Sequence, residues 1–321
     1  MKQRVERTFA GRPLSIETGR MAKQAAGSAL VQFGETMVLA AVTVSDNQSP
    51  LPFFPLLVEY KDKAYAAGKI PGGFIKREGR PADSEILKAR IIDRTIRPLF
   101  PEGFKNEVQV FIYVISADQE NDADMIALVA ASYAINSSKI PFEGPIAGVR
   151  VGRVQDHWVI NPTFEQLGYS EMDIVVAGSK DFIIMVEGGA AEVSEADMLE
   201  AIKIGQGGIR ELVGFQEEML KEARKEKMTW TAAKPPEGLE TRVKELASGR
   251  IVEAINRKDK HTRIEAVELV KKEVANELLT EFPDNPKDIH ALVGDQEYHS
   301  LRAPVLDSGL RVDGRKPNEV R

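Results

Sequence analysis

The chain of 321 residues carries 43 Lys and Arg against 49 Asp and Glu, for a net charge of −6, and 43% of it is hydrophobic. That length and apolar content allow two domains with a real core, and the acidic balance excludes a protein that coats nucleic acid with uniform positive charge. The absence of cysteine excludes disulfides, thiolate nucleophiles and zinc–cysteine sites, and fits a cytoplasmic setting.

The N-terminal MKQRVERTFAG has no apolar core run, so no signal peptide is expected, and no stretch is apolar enough to span a membrane. The histidines His157, His261, His290 and His299 are scattered, which argues against a histidine metal site. From Leu14 to Ser45 the pattern reads as strands, with a hairpin over Gly27–Ser45 turning at Phe33-Gly34-Glu35. Leu39–Val42 is apolar on both faces and predicts a central strand. Asn47–Pro52 reads as loop and Phe53–Tyr60 as a strand that leads into the most distinctive stretch, Lys69–Phe104.

That stretch opens with Pro71-Gly72-Gly73, then Phe74, Ile75, Lys76 and Arg77, then Gly79-Arg80-Pro81. Gly frees the backbone and Pro fixes it, so a defined loop is expected. From Ala82 the spacing turns helical until Pro98, placing Arg90, Arg94 and Arg97 on one face. Between Lys61 and Lys105 there are eleven Lys and Arg against six Asp and Glu, a focused basic patch on an acidic body. An aromatic tip, flanking cations and an arginine stripe suit a stacked, phosphate-bearing ligand. The candidate binding residues are Phe74, Ile75, Lys76, Arg77, Arg80, Arg90, Arg94 and Arg97, which the resemblance described below makes RNA-binding residues.

Downstream, Val108–Ile115 reads as a strand, Asp118–Asp124 as an acidic turn and Met125–Ser138 as a buried helix. Strands are expected at Gly148–Val154, His157–Ile160, Asp173–Ala177 and Phe182–Glu187. Ser194, with Asp197, caps a long helix whose apolar side is Met198, Leu199, Ile202, Ile209, Leu212, Phe215 and Leu220. Gly205, Gly207 and Gly208 should weaken or bend it, or admit a close backbone. The class is α+β with a βαβα layout, followed past Thr229–Gly238 by a small all-α domain of three helices.

The loop GGFIKREGRP and the helix IIDRTIRPLFPEGF closely resemble the first ribonuclease-PH-like domain of bacterial polynucleotide phosphorylase. Ile75, Lys76 and Thr95 depart from that family's pattern of Phe, Arg and Pro. The resemblance covers essentially the whole chain and implies the ribonuclease PH fold. It divides the sequence into a core domain at 1–228, a linker at 229–238, a helical domain at 239–305 and, at 306–321, the start of a truncated second core domain. The last is marked by Arg311, Asp313, Gly314 and Arg315.

The resemblance further implies a phosphate-dependent 3′-to-5′ exoribonuclease that releases nucleoside diphosphates and runs in reverse as a polymerase. Expected partners are single-stranded RNA, a homotrimeric ring and an RNA-degrading assembly. Inorganic phosphate would be co-substrate, with Mg2+ or Mn2+ bound outside this stretch, in the second core domain. There the family has a Ser/Thr-rich phosphate turn and an Asp pair six residues apart. Here the turn is Glu120-Asn121-Asp122-Ala123-Asp124, whose carboxylates repel phosphate, and only Glu165 and Glu171 echo the metal pair. No catalytic residue is therefore expected in this chain. The alternative from another class is a purely structural ring-forming domain whose basic loop neutralises a subunit interface.

Overall fold

The computed structural model describes residues 2–51, 53–232 and 234–320. The chain forms two units, Met1–Ala232 and Ala233–Arg321.

The first unit opens with six strands: β1 (Gln3–Phe9), β2 (Arg12–Thr18), β3 (Gly27–Phe33), β4 (Thr36–Gln48), β5 (Leu56–Asp62) and β6 (Asn106–Ser116). They pair in the order β1-β2-β3-β4-β6-β5, antiparallel except for the parallel β5–β6 pair. A parallel pair needs a crossover, and α1 (Asp83–Ile96) supplies it. Strand β4 is central, with Val38, Ala40 and Val42 fully buried. Two boundaries differ from the sequence reading: Asn47 is still inside β4, and β5 begins at Leu56, not Phe53. Strand β1 lies outside the expected strands altogether; its sequence QRVERTF is mostly polar because it is an edge strand with little to bury.

The second sheet is antiparallel, in the order β10-β9-β7-β8, from β7 (Ala147–Val154), β8 (His157–Ile160), β9 (Met172–Gly178) and β10 (Ile183–Ala190). Helix α2 (Asp124–Ser137) packs on β3 and β4 of one sheet and on β7 of the other, and every residue in it is buried. That explains its Ala-rich sequence: a helix between two sheets has no solvent side, and small residues let both approach. A short helix, α3 (Phe164–Gly168), precedes β9, and α4 (Glu195–Ala223) covers β7 and β9. Ser194 caps α4 by accepting from Asp197 N–H at 3.1 Å. The helix runs through its glycines without interruption. A Cβ at Gly205 would lie 2.9 Å from Val176, and one at Gly208 would lie 3.2 Å from Val149, so these glycines permit close helix–sheet packing. Leu199, expected on the apolar side of α4, is exposed.

Part of the expected linker belongs to the first unit. Trp230 packs edge-on against Phe104 with centroids 6.0 Å apart, and Gln48 donates to the Thr231 carbonyl at 3.0 Å.

The second unit is three helices, α5 (Leu239–Ile255), α6 (Lys260–Glu281) and α7 (Pro286–Ser308), so the last helix continues beyond residue 305. Its core includes Leu239, Val243, Ala247, Ile251, Val274, Leu278, Ile289 and Val293. Ile264 and Leu269, expected inside, are exposed. Among the described residues no helix is long and apolar enough to cross a membrane.

Candidate nucleic-acid interface and a buried ion cluster

The loop from Pro71 to Pro81 leaves the end of β5 through a short 3-10 turn at Ala64–Ala67, closed by Gly68 in the left-handed region. Gly73 (φ 76°) and Lys76 (φ 56°) are left-handed too. For lysine this is an uncommon conformation, and it falls between the two residues that flank it as candidates, Ile75 and Arg77. Phe74 is fully exposed and Ile75 is 75% exposed. An apolar pair left in water is informative only when it is grouped with polar partners, and here Lys76, Arg77 and Arg80 stand beside it.

The loop's one acid does not neutralise these cations. Glu78 accepts from Ala64 N–H at 3.4 Å and lies 3.9 Å from Lys63, at the base of the loop. Among the described residues, Lys76, Arg77 and Arg80 have no carboxylate partner. Arg77 and Arg80 line a groove of about 460 Å³ together with Lys61, Pro71 and Glu85. Glu85 fixes its floor by accepting from Asp62 N–H at 2.8 Å and from Ala82 N–H at 2.6 Å, which ties the start of α1 to the end of β5.

The arginine stripe on α1 divides. Arg90 is exposed and, among the described residues, without an acidic partner; it lines a second groove of about 410 Å³ between β5 and α1 with Leu57, Val58, Ile86 and Ala89. Arg94 lines the same groove and donates to Glu187 of β10 at 3.1 Å. Arg97 is committed elsewhere. It donates to Asp93 at 2.6 and 2.8 Å and to the Phe54 and Leu56 carbonyls, each at 3.2 Å. With four of its five N–H donors engaged by the protein, Arg97 is less available to a ligand than Arg90.

The acidic turn before α2 is not a patch of bare carboxylates. Arg150 of β7 reaches into it: one guanidinium nitrogen lies 2.5 Å from Asp124 and 3.4 Å from Asp122, and another donates to both Asp173 oxygens at 2.6 Å. Lys88 of α1 closes on Asp122 at 2.8 Å. Burial works against the Lys88 ammonium, but Asp122, Asp124 and Asp62 outweigh it and hold its pKa above the usual lysine value. Burial likewise works against the Arg150 guanidinium, and Asp124, Asp173 and Asp122 hold it firmly charged. Burial pushes the Asp124 carboxyl upward, helped by Asp122 and opposed by Arg150 and Lys88. The turn itself is pinned by Asp118, which accepts from the N–H groups of Glu120 and Asn121 at 2.9 and 2.8 Å and from the Asn121 side chain at 2.6 Å.

This corrects the electrostatic argument made from sequence. Asp122 and Asp124 are largely compensated, and the space around them is filled by the ion-paired Arg150 and Lys88 side chains. The position between Asp122, Asp124 and Asp173 holds the Arg150 guanidinium. Glu165 and Glu171 are both exposed, and Glu171 lies 3.9 Å from Arg153. Among the described residues no group of three acidic or histidine side chains could hold a metal. The sequence reading had no role for Arg150, Lys88 or Asp173. The available signal was an arginine in the middle of an otherwise apolar strand, AGVRVGRV.

Two family models match successive parts of the first unit: the 3′ exoribonuclease family, domain 1, over residues 10–141, and domain 2 of that family over residues 144–208. The chain belongs to the 3′ exoribonuclease family. A third model, the RNA binding domain of polyribonucleotide nucleotidyltransferase, matches residues 238–316 of this family member. Its similar relatives carry that enzyme name. The protein of Gemmatimonas aurantiaca is 77% identical over 318 residues, covering 99% of this chain and 43% of the relative. That of Geotalea uraniireducens is 48% identical over 322 residues, covering all of this chain and 46% of the relative. That of Bacillus subtilis is 45% identical over 319 residues, covering 98% and 45%. This exoribonuclease-family chain thus spans less than half the length of the curated relatives it matches. Among solved structures, rice (Oryza sativa) Rrp46 superposes with a TM-score of 0.55 at 18% identity, covering 66% of this chain and 95% of that one. An archaeal exosome core does so with a TM-score of 0.50, also at 18% identity, covering 66% and 89%. At that identity these two establish the fold alone.

Proposed function

We propose that this chain is the RNA-holding part of a phosphate-dependent 3′-to-5′ exoribonuclease, the polyribonucleotide nucleotidyltransferase named for its relatives. The whole enzyme would degrade RNA to nucleoside diphosphates and run in reverse as a polymerase. The observation that carries the reading is the Pro71–Pro81 loop, where a fully exposed Phe74 sits beside Lys76, Arg77 and Arg80, which have no carboxylate partner among the described residues. A base stacked on Phe74 would contribute roughly 1–3 kcal/mol, and the cations would meet phosphates. Arg90, with Arg94 beside it, would extend the contact along α1. In this reading the chain supplies grip and assembly, and chemistry belongs to residues outside it. Mg2+ or Mn2+ and inorganic phosphate would bind there too, the whole enzyme would be a homotrimeric ring in the cytoplasm, and it would join an RNA-degrading assembly. The filled Arg150 cluster supports the division of labour.

The test is binding of a fluorescent single-stranded oligoadenylate to the chain over a salt series. Changing Lys76 and Arg77 together to Ala should weaken binding and lower the salt slope by about 0.7 per lost phosphate contact. An unchanged affinity with an unchanged slope would favour a purely structural role for the loop.

A further inference from the structure

A third cavity, of about 940 Å³, lies in the first unit where the loop joining β2 to β3 faces the C-terminal end of α4. Its size falls within the range of small-molecule sites, about 300–1,000 Å³. It shares no lining residue with the two grooves along α1. Four of its lining residues are cations, Lys2, Lys23, Arg224 and Lys225, and one, Glu222, is an acid. In each groove along α1, by contrast, the lining acids equal or outnumber the lining cations. Glu222 accepts from the Gln3 side chain at 3.4 Å. Glu17, a buried carboxylate of β2, lies 2.8 Å from Arg20 and 3.8 Å from Lys2 and offsets those two charges. That leaves Lys23, Arg224 and Lys225, all exposed and, among the described residues, without a carboxylate partner. A neighbour feels the crowding of like charge: burial, and after it the Arg224 guanidinium, lower the Lys227 pKa to about 8.

Local contacts set the walls before any ligand arrives. In the loop, Gly19 (φ 79°) and Ala22 (φ 49°) are left-handed, an uncommon conformation for alanine. The Ser28 hydroxyl donates to the Met21 carbonyl at 2.8 Å, and Ala25 N–H donates to the Ala22 carbonyl at 3.0 Å. These bonds use carbonyls. The N–H groups of Met21, Ala22, Lys23 and Gln24 have no acceptor among the described residues. On the facing side Lys225 is tied down: its N–H donates to the Ser137 carbonyl at 3.2 Å and its ammonium to the Ala26 carbonyl at 2.8 Å. Open backbone N–H groups beside unpaired cations attract an anion. The cations stand on two facing segments, Lys23 on the loop and Arg224 with Lys225 at the end of α4. A single phosphate would meet one side of a cavity this large, whereas two linked phosphates reach both.

We propose that this cavity binds a diphosphate group, with Lys23 on one side, Arg224 and Lys225 on the other, and the loop N–H groups as further donors. The assignment goes beyond the RNA-holding reading and stands whether or not the Pro71–Pro81 loop grips RNA. The diphosphate has two possible sources, inorganic pyrophosphate and a nucleoside diphosphate. For the second, the exposed Met21, with Ala223, lines the same cavity and would cover the base.

The experiment is calorimetric titration of the chain with pyrophosphate, ADP, AMP and inorganic phosphate, without divalent cation. Four forms are compared: unmodified, Lys23→Ala/Arg224→Ala, Met21→Ala and Lys76→Ala/Arg77→Ala. Lys225 is retained because its ammonium holds the Ala26 carbonyl, and far-UV circular dichroism checks that each variant is folded. Pyrophosphate and ADP should bind the unmodified chain at least about 10-fold more tightly than phosphate and AMP, since each lost charge-assisted contact is worth about that factor. The Lys23→Ala/Arg224→Ala form should lose at least about 10-fold for both diphosphates, and the Lys76→Ala/Arg77→Ala form should bind them unchanged. ADP tighter than pyrophosphate, with the excess lost in Met21→Ala, identifies a nucleoside diphosphate; equal affinities identify the diphosphate group alone. No diphosphate binding, no preference over the monophosphates, or an unchanged affinity in folded Lys23→Ala/Arg224→Ala would overturn the proposal. So would an equal loss in the loop variant, which would move the diphosphate to the Pro71–Pro81 loop. Failure of that loop to hold oligoadenylate, with diphosphate binding intact, would count against the RNA-holding reading alone.

Discussion

Replacing Arg150 by Met tests what the ion cluster does. Arg150 is mostly buried, and its guanidinium is within 2.6 Å of Asp124 and Asp173 and 3.4 Å from Asp122. At charge separations of about 4 Å and an effective dielectric of 20, each close pair is worth about 4 kcal/mol of attraction. The guanidinium no longer has to be desolvated, which offsets part of the loss. What remains is Asp124, with 3% of its side chain exposed, beside Asp122 with its main counter-charge gone. Breaking a buried pair from one side typically costs about 3–5 kcal/mol. For a unit of this size that is a fall in Tm of roughly 6–20 °C. Urea unfolding followed by tryptophan fluorescence is the assay, because both tryptophans, Trp158 and Trp230, lie in the first unit. The deficit should depend on pH. A carboxyl whose pKa is raised by folding, as that of Asp124 is by burial and Asp122, favours the fold when protonated. That advantage is complete below the unfolded value of about 3.8 and is lost as pH rises through the folded value. Without Arg150 the folded value climbs further, so the difference from the parent should shrink as pH falls from 7 toward 4. Adding Asp124→Asn to Arg150→Met should restore at least half of the stability at pH 7. A loss under about 1 kcal/mol, or one that is the same at both pH values, would refute the argument that Arg150 neutralises a buried acid cluster.

Two further outcomes follow from the same packing. Incubated with a 3′-labelled RNA, phosphate and Mg2+ or Mn2+, the chain alone should release no nucleoside diphosphate; phosphate-dependent release abolished by Glu165→Gln or Glu171→Gln would place an active site in it. In α4, Gly205→Ala should destabilise by about 1–3 kcal/mol through overpacking on Val176. Gly207→Ala, whose Cβ meets nothing within 4 Å, should stabilise by up to about 1 kcal/mol; urea midpoints moving in the same direction would contradict the assignment of the two faces.

What could be read from the sequence was whatever has a period or a punctuation mark. The β3–β4 hairpin, the largely apolar α2, the Pro-bounded α1 and the Ser194 cap are local patterns, and local patterns survive into the structure. The losses are long-range. Arg150 is one polar residue in a strand, and nothing local says that its partners are 26 and 28 residues back in the chain. Arg97 fits an arginine stripe perfectly well by spacing, yet its ligands are Asp93 on its own helix and two backbone carbonyls, and a carbonyl leaves no mark on a sequence. Strand β1 was invisible for the opposite reason: an edge strand with one neighbour buries too little to show an apolar alternation.

The place where Arg97 ends up has a consequence for how the chain keeps to itself. Strand β5 is the last in its sheet, so one side of its backbone faces away from the other strands. Such an edge is a template for another strand, and here Phe53 and Leu57, both exposed, would make the addition apolar as well. Arg97 lays its guanidinium across the entrance to that edge and takes the Phe54 and Leu56 carbonyls for itself. A foreign strand entering there would first have to evict a charged group anchored by Asp93. The arginine thus works as an edge guard, turning a surface inviting aggregation into one that a chosen partner must displace a cation to use.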